Sequence, residues 1–414
     1  MNVQVPAYWG QIKYHLNDHL YINSFFMLAT KLLLAGSGFI FWMIAARLYS
    51  VEQVGIGVAM ISSVTLITTL SMFGFENSII RFYSTYDKAK VVNTSIMIAG
   101  VASLVIGAAY SLVMHFVSPQ LSLIDNPLYL LAYLALVVLS TMATVSGNAF
   151  VAMRKSVQLL AQNLVASSRI ILLVPLLFLG SFGIIGSTLL SFVFAMAFVV
   201  VVLGSFVRLD YRIDREFVSR SLHFSAGNYL GGLFNDVPYL IMPTLVLGLL
   251  GEAAAARYYV AFSIGALLMQ ITYTVSTSLF VEGSNGRGIR QNVVKSGLAI
   301  YALLVPAVVC VFLFGNYLLG LYGSAYTETF DLLKLFAIAT LFQAIYWLFC
   351  TVKRVTMGVR SIVLMNALMF VLSLSLSWAL IPRFGLNGVG LAFIATFVVT
   401  DVAVLGLAKR EGWV

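Results

Sequence analysis

Twelve predominantly apolar runs, each longer than 20 residues, follow one another along this chain with short polar gaps between them. They lie near 22–46, 54–76, 91–117, 128–150, 157–179, 183–207, 222–249, 255–281, 293–319, 329–352, 361–381 and 387–408. An α-helix rises about 1.5 Å per residue, so about 20 residues cross the hydrocarbon of a bilayer. The chain is 61% hydrophobic and 9% charged, with a mean hydropathy of +0.99. A water-soluble domain carries roughly 25% charged residues. This chain could not cover a surface facing water, so lipid is its solvent and an all-α polytopic membrane protein is the expected fold class.

The net charge of +9 raises a second reading, nucleic-acid binding. The placement of the charges excludes it. Of the 24 Lys and Arg residues, 18 fall in one set of alternate gaps: Lys13; Arg81, Lys88, Lys90; Arg154, Lys155; Arg208, Arg212, Arg215, Arg220; Arg287, Arg290, Lys295; Lys353, Arg354, Arg360; Lys409, Arg410. The opposite gaps hold Arg47, Arg257 and Arg383, and Lys31, Arg169 and Lys334 lie within runs. Short loops rich in Lys and Arg stay in the cytoplasm, so both termini are expected there. The arginines from 208 to 220 suit contact with anionic headgroups of membrane lipids. Cys310 and Cys350 sit inside apolar runs and read as buried, reduced thiols. The first 21 residues mix aromatics with Lys13, His15, Asp18 and His19, which suggests an interfacial leader rather than a cleaved signal.

Six runs lie on each side of the 208–221 gap, and the halves repeat. "RK" at 154–155 answers "KR" at 353–354, Glu52 answers Glu252, and "FGIIG" at 182–186 answers "FGLNG" at 384–388. Six is even, so both halves run in the same direction through the membrane. They are expected to be related by a pseudo-two-fold axis along its normal. The division is a leader (1–21), a six-helix bundle (22–207), a linker (208–221), a second six-helix bundle (222–408) and a tail (409–414), about twelve transmembrane helices around a central cleft.

The stretch "AARLYSVEQVGIGVAMISSVTLITTLSMFGFENSIIRFYS" carries Arg47-Leu48, Glu52, Gly55, Gly74 and Arg81 in order. The second half carries Asp236, Glu252 and Tyr258 or Tyr259, then "IPRFGLNGVGLA". This pattern resembles the polysaccharide-transporter and O-antigen-flippase branch of the multidrug/oligosaccharidyl-lipid/polysaccharide exporter superfamily. An Ala-rich run stands where that branch has Gly before its eighth helix. The resemblance implies movement of undecaprenyl- or dolichyl-type lipid-linked sugars, acting beside the polysaccharide synthesis machinery.

Ionisable groups deep in a bilayer are costly and mark function or internal pairing. Arg169 lies about twelve residues into the fifth run, where a guanidinium suits a diphosphate. An interhelical salt bridge is its structural alternative, with Asp236 and Asp401 the candidate carboxylates. Lys31 lies about nine residues into the first run, roughly 13 Å deep, and either joins that cavity or reaches back to the interface. Asp236 adjoins Asn235 among Gly227, Gly231, Gly232, Pro238 and Pro243. This composition predicts a kinked or broken helix able to hold a coupling Na⁺ or H⁺. Asp401 is the second coupling candidate. Asp331 and Lys334 are spaced to pair with each other. Asn77 and Arg81 end the second run, where Arg81 could meet an arriving headgroup. His115 and His223 belong to no metal-ligand spacing, and no cofactor motif or nucleotide-binding loop is evident.

Two further functions compete. A cation-coupled multidrug exporter of the related MATE branch would favour a carboxylate-lined cavity over Arg169 and Lys31. A membrane glycosyltransferase, ligase or polymerase would need a long outer loop, and no outer gap exceeds about a dozen residues. A self-contained cleft favours a monomer.

Overall fold

The computed structural model describes residues 19–117, 121, 126–210, 212–283, 289–356 and 358–410, and among them there is no β-strand. Lys13, Arg287, the leader up to residue 18 and the tail from 411 lie outside the described residues. The first half contains α1 (His19–Leu48), α2 (Val51–Ser71), α3 (Phe75–Phe82), α4 (Lys88–Val117), α5 (Pro127–Ala152), α6 (Ser156–Ala166), α7 (Arg169–Leu172) and α8 (Ser181–Gly204). The second contains α9 (Arg215–Leu250), α10 (Glu252–Gly283), α11 (Ile289–Gly320), α12 (Phe330–Val355), α13 (Val359–Phe384) and α14 (Asn387–Arg410). Among the described residues, eleven helical segments are long and apolar enough to cross a membrane, which makes this a multi-pass membrane protein. Without water to satisfy backbone polar groups, helices are the economical way for such a chain to span.

The fifth run is the exception. Residues 157–179 do not form one helix: α6 stops at Ala166, α7 is a single turn, and a 3₁₀ turn follows at Leu177–Leu179. Ser167 and Ser168 lie at the break, and the Ser167 hydroxyl bonds back to the Asn163 carbonyl at 2.8 Å. Serine competes for backbone carbonyls in this way. Arg169 therefore starts a short segment instead of sitting mid-helix. The seventh run departs in the opposite sense. α9 is continuous through Pro238 and Pro243, and it begins at Arg215, inside the expected linker. α2 ends at a backbone break, Phe73 and Gly74 having φ of 45° and 79°, before α3 resumes.

The packing is duplicated. α5 lies against α4 and α8 as α12 lies against α11 and α14; α6 lies against α1 and α8 as α13 lies against α9 and α14. Two parallel six-segment bundles result. Hydroxyls bind α2 to α5: Ser63 meets the Tyr133 hydroxyl at 2.6 Å, and Thr68 meets Ser140 at 3.1 Å and Thr141 at 3.0 Å. Small hydroxyl residues let helices approach while satisfying one another. Cys350 is buried as expected, but Cys310 is exposed on the surface of α11; both are free thiols.

The repeat is real, but its register is not the one that "FGIIG" and "FGLNG" suggest. Gly180 has φ 58° and ψ −138°, and Gly385 has φ 58° and ψ −142°. The Gly183 amide bonds to the Gly180 carbonyl at 2.8 Å, as Gly388 does to Gly385 at 3.0 Å. A methyl group on Gly183 would overlap the Leu176 carbonyl, and one on Gly388 would meet the Leu380 carbonyl. The true equivalence is a Gly-x-x-Gly turn 205 residues apart. At the preceding turn, Lys155 N bonds Phe150 O at 2.8 Å and Gly358 N bonds Lys353 O at 2.7 Å. Lys155 thus corresponds to Gly358, so "RK" and "KR" are also not structural equivalents.

The linker is tied to the first bundle. Asp214 caps α9 by accepting from the Phe217 amide at 2.9 Å, and Lys90 of α4 pairs with it at 2.9 Å. The Phe217 amide, then the Lys90 ammonium, hold the Asp214 carboxyl below the usual carboxylate range. This tie is present above the ordinary carboxylate value and is lost as pH falls through the lowered one.

At Gly385 a methyl group would meet nothing within 4 Å, so substitution there tests backbone conformation alone. A side chain at this φ and ψ costs about 1–3 kcal/mol. Gly385→Ala is therefore expected to lower the Tm in detergent. An unchanged Tm would overturn this account of the turn.

Candidate functional site

Each bundle holds a cavity in the half nearest the basic loops. That of the first bundle has a volume of about 430 Å³ and is walled by α1, α5, α6, α7 and α8. That of the second has a volume of about 560 Å³ and is walled by α9, α10, α12 and α13. The duplication makes α1, α5 and α6–α7 the counterparts of α9, α12 and α13. The cavities are one feature built twice, with different chemistry.

The first cavity brings Lys31 and Arg169 together. Its other polar walls are hydroxyls and amides, including Ser37, Thr144, Asn148, Gln162 and Asn163, and among the described residues no carboxylate lines it. The helix break puts Arg169 here: α6 carries Gln162 and Asn163, and the chain then turns at Ser167. The structural alternative, an ion pair with Asp236 or Asp401, is absent among the described residues. The Arg169 guanidinium lies instead over the ring of Phe41, 4.6 Å from its centroid, a cation–π contact. Lys31 makes no ion pair among the described residues and is exposed to the cavity. Gln162 donates to the Ala143 carbonyl at 2.8 Å, leaving its own carbonyl oxygen without a partner.

The second cavity contains Asn235 and Asp236, side by side, the Asn235 amide donating to the Asp236 carboxylate at 2.7 Å. Arg354 also lines it, from α12. Asp401 does not: it is buried in α14, 5% exposed, with neither oxygen bonded among the described residues. Arg81 is exposed in the last turn of α3 and lines neither cavity. Asp331 and Lys334 pair at 2.9 Å. Sequence reasoning missed Phe41 under Arg169, the amides of both cavities, and Arg354, which read as one more loop charge. Amides at helical spacing in apolar runs were the available signal.

The far ends of the bundles are sealed against each other. α2 packs on α10, and a methyl group on Gly55 would overlap the Glu252 backbone carbonyl. The rings of Trp42 and Tyr259 are 5.0 Å apart, those of Phe39 and Tyr322 5.4 Å. Arg47 donates to the Leu321 carbonyl at 2.9 Å. On the basic side the two seams differ. α2 and α3 stay in contact with α9, through Tyr229 donating to the Leu70 carbonyl at 2.6 Å and Ser78 bonded to Ser225 at 2.6 Å. α1, in contrast, touches the second bundle at its far end. From Ser24 to Ile40 it is mostly exposed, only Thr30, Ser37 and their neighbours turning inward.

No family model and no curated protein matches the sequence. Solved structures do match the fold. A multidrug resistance MATE family transporter of the MOP superfamily, in its inward-facing conformation, superimposes with a TM-score of 0.72 at 13% identity, over 92% of this chain and 94% of that one. The lipid II flippase MurJ, in an inward closed conformation, gives 0.70 at 14% identity, over 94% and 87%. A MOP-superfamily transporter from Pyrococcus furiosus, described as having a binding pocket of reverse polarity, gives 0.61 at 14% identity, over 95% of both chains. The chain therefore has the fold of the MOP-superfamily transporters. Within that fold its neighbours include both a multidrug resistance transporter and a lipid II flippase.

The seal predicts its own release. Gly55→Val should push α2 from α10 and expose Tyr259→Cys to a membrane-impermeant thiol reagent added from the side opposite the basic loops, in a chain lacking Cys310 and Cys350. Gly36→Ala, whose methyl would enter open space, should leave labelling unchanged. Equal labelling in all three would overturn the assignment of the seal.

Proposed function

We propose that this protein is a flippase that moves polyprenyl-diphosphate-linked oligosaccharide across the cytoplasmic membrane by alternating access, for cell-surface polysaccharide assembly. The observation that carries this reading is the first cavity: two cations, Lys31 and Arg169, with no carboxylate on its wall among the described residues. A diphosphate entering the hydrocarbon level needs such a site, because charge transfer into low dielectric is costly without a partner. A guanidinium grips phosphate oxygens in pairs, and one held only by an aromatic face is available to do so. The exposed stretch of α1 beside this cavity lets a polyprenyl tail remain in lipid while its headgroup enters.

In this reading the basic loops are cytoplasmic, and Arg81 meets anionic headgroups at that surface. Asp236 and Asn235 hold the coupling Na⁺ or H⁺ in the second cavity. Asp401, buried without a partner, is a second proton-carrying group. Cation-selective drug export is the weaker reading, since Arg354 lines the same cavity as Asp236 and the first cavity repels cations.

Reconstituted vesicles carrying a fluorescent polyprenyl-diphosphate sugar test the assignment. Arg169→Ala is expected to abolish flipping and Arg169→Lys to retain part of it, both inserting and folding normally. Normal flipping by Arg169→Ala would overturn the site. Asp236→Asn is expected to reduce turnover more than substrate affinity, since a carboxylate that drives closure acts on the conformational equilibrium. Equal loss of both would remove Asp236 from coupling.

A further inference from the structure

The second cavity is larger than a coupling ion needs, and its walls are not those of an ion site. The rings of Tyr273 and Trp347 stand in it at 78° to one another, centroids 5.1 Å apart. The side chains of Asn228 and Gln270 enter it and make no hydrogen bond among the described residues. Gln343 is 5% exposed, lines the same space, and its carbonyl oxygen has no hydrogen-bond partner among the described residues. A buried amide oxygen is costly to leave unbonded, so it points to a ligand that donates. Asn366 fixes the wall behind these groups: it accepts from the Tyr346 hydroxyl and donates to the Gly231 carbonyl at 2.8 Å. On α9, Gly227 and Gly232 present bare backbone to open space.

We propose that this cavity is the glycan-receiving subsite. The inference rests on the flippase reading and assigns to it a second, separate site for the sugar. A saccharide has apolar C–H faces rimmed by hydroxyls. Aromatic rings offer a flat apolar surface with a polar tip or edge, and amides supply both donors and acceptors for hydroxyls. Asp236 and Arg354 are opposite in sign, so the wall favours no net charge. The matching cavity of the first bundle holds two cations and no aromatic pair of this kind. The duplicated fold thus separates the substrate into two chemistries: diphosphate in one bundle, neutral glycan in the other. An occupant spanning both would draw the bundles together on the side where they are apart.

The test uses the full-length protein in nanodiscs, with two probes: undecaprenyl diphosphate alone, and undecaprenyl diphosphate bearing a neutral trisaccharide of hexose and N-acetylhexosamine. The wild type is expected to bind the glycosylated lipid about ten-fold more tightly. Trp347→Ala should remove that preference and leave affinity for the bare lipid unchanged. Gly232→Leu, whose Cβ would meet nothing within 4 Å and whose side chain takes up cavity space, should do the same, so a folding defect in one variant does not decide the matter. Arg169→Ala should weaken both probes. If the wild type shows no preference, or both cavity variants keep it, the glycan subsite is wrong while the flippase reading stands. If the bare lipid does not bind, or binds independently of Arg169, the flippase reading itself falls and takes the subsite with it.

Discussion

Hydrocarbon offers no hydrogen bonds, and the architecture follows from that. Each span is a helix because each backbone amide must find its partner within the chain. Where the helix fails, as from Ser167 to Leu179, the freed groups must face protein or a wet space. The break coincides with the cavity wall that carries Arg169. The same constraint explains why hydroxyls between α2 and α5 bond one another, and why Lys31, Arg169, Asp236 and Arg354 face cavities rather than lipid.

Much of this was legible beforehand. The apolar runs located the spans because lipid tolerates little else, and the basic gaps divided the loops into two sets. The duplication was visible, but its register was not. The eye matches "FGIIG" to "FGLNG" through shared phenylalanines, whereas the backbone matches the glycines at 180 and 183 to those at 385 and 388. Phenylalanine packs in many places; a φ near 58° followed three residues later by a contact with a carbonyl demands glycine twice. Helix continuity was read wrongly in both directions. α9 absorbs two prolines, while the fifth run breaks at paired serines with no proline until Val174 has passed. The cavity residues were only half visible. A charge in an apolar run stands out, but the amides of Gln270 and Gln343 become meaningful only when helices far apart in sequence meet.

The two bundles share one plan and have parted in chemistry. α6–α7 and α13 occupy equivalent places, yet one is broken around a guanidinium and the other runs unbroken past Asn366. The seams have parted as well. α2 and α9 remain joined along the basic half, while α1 and α10 do not. The duplicated plan thus has one closed flank and one open flank.

The contact between Gly55 and the Glu252 carbonyl has a mechanical meaning. It lies where two helices begin, at the extreme end of the molecule, and glycine lets the backbones meet there without side chains between them. Such a point can act as a fulcrum. From Glu252 to Tyr273 is a lever arm of about 30 Å. A tilt of about fifteen degrees at the fulcrum sweeps the other end of the arm through about 8 Å. A displacement too small to break one backbone contact is thereby magnified into one wide enough to close a mouth.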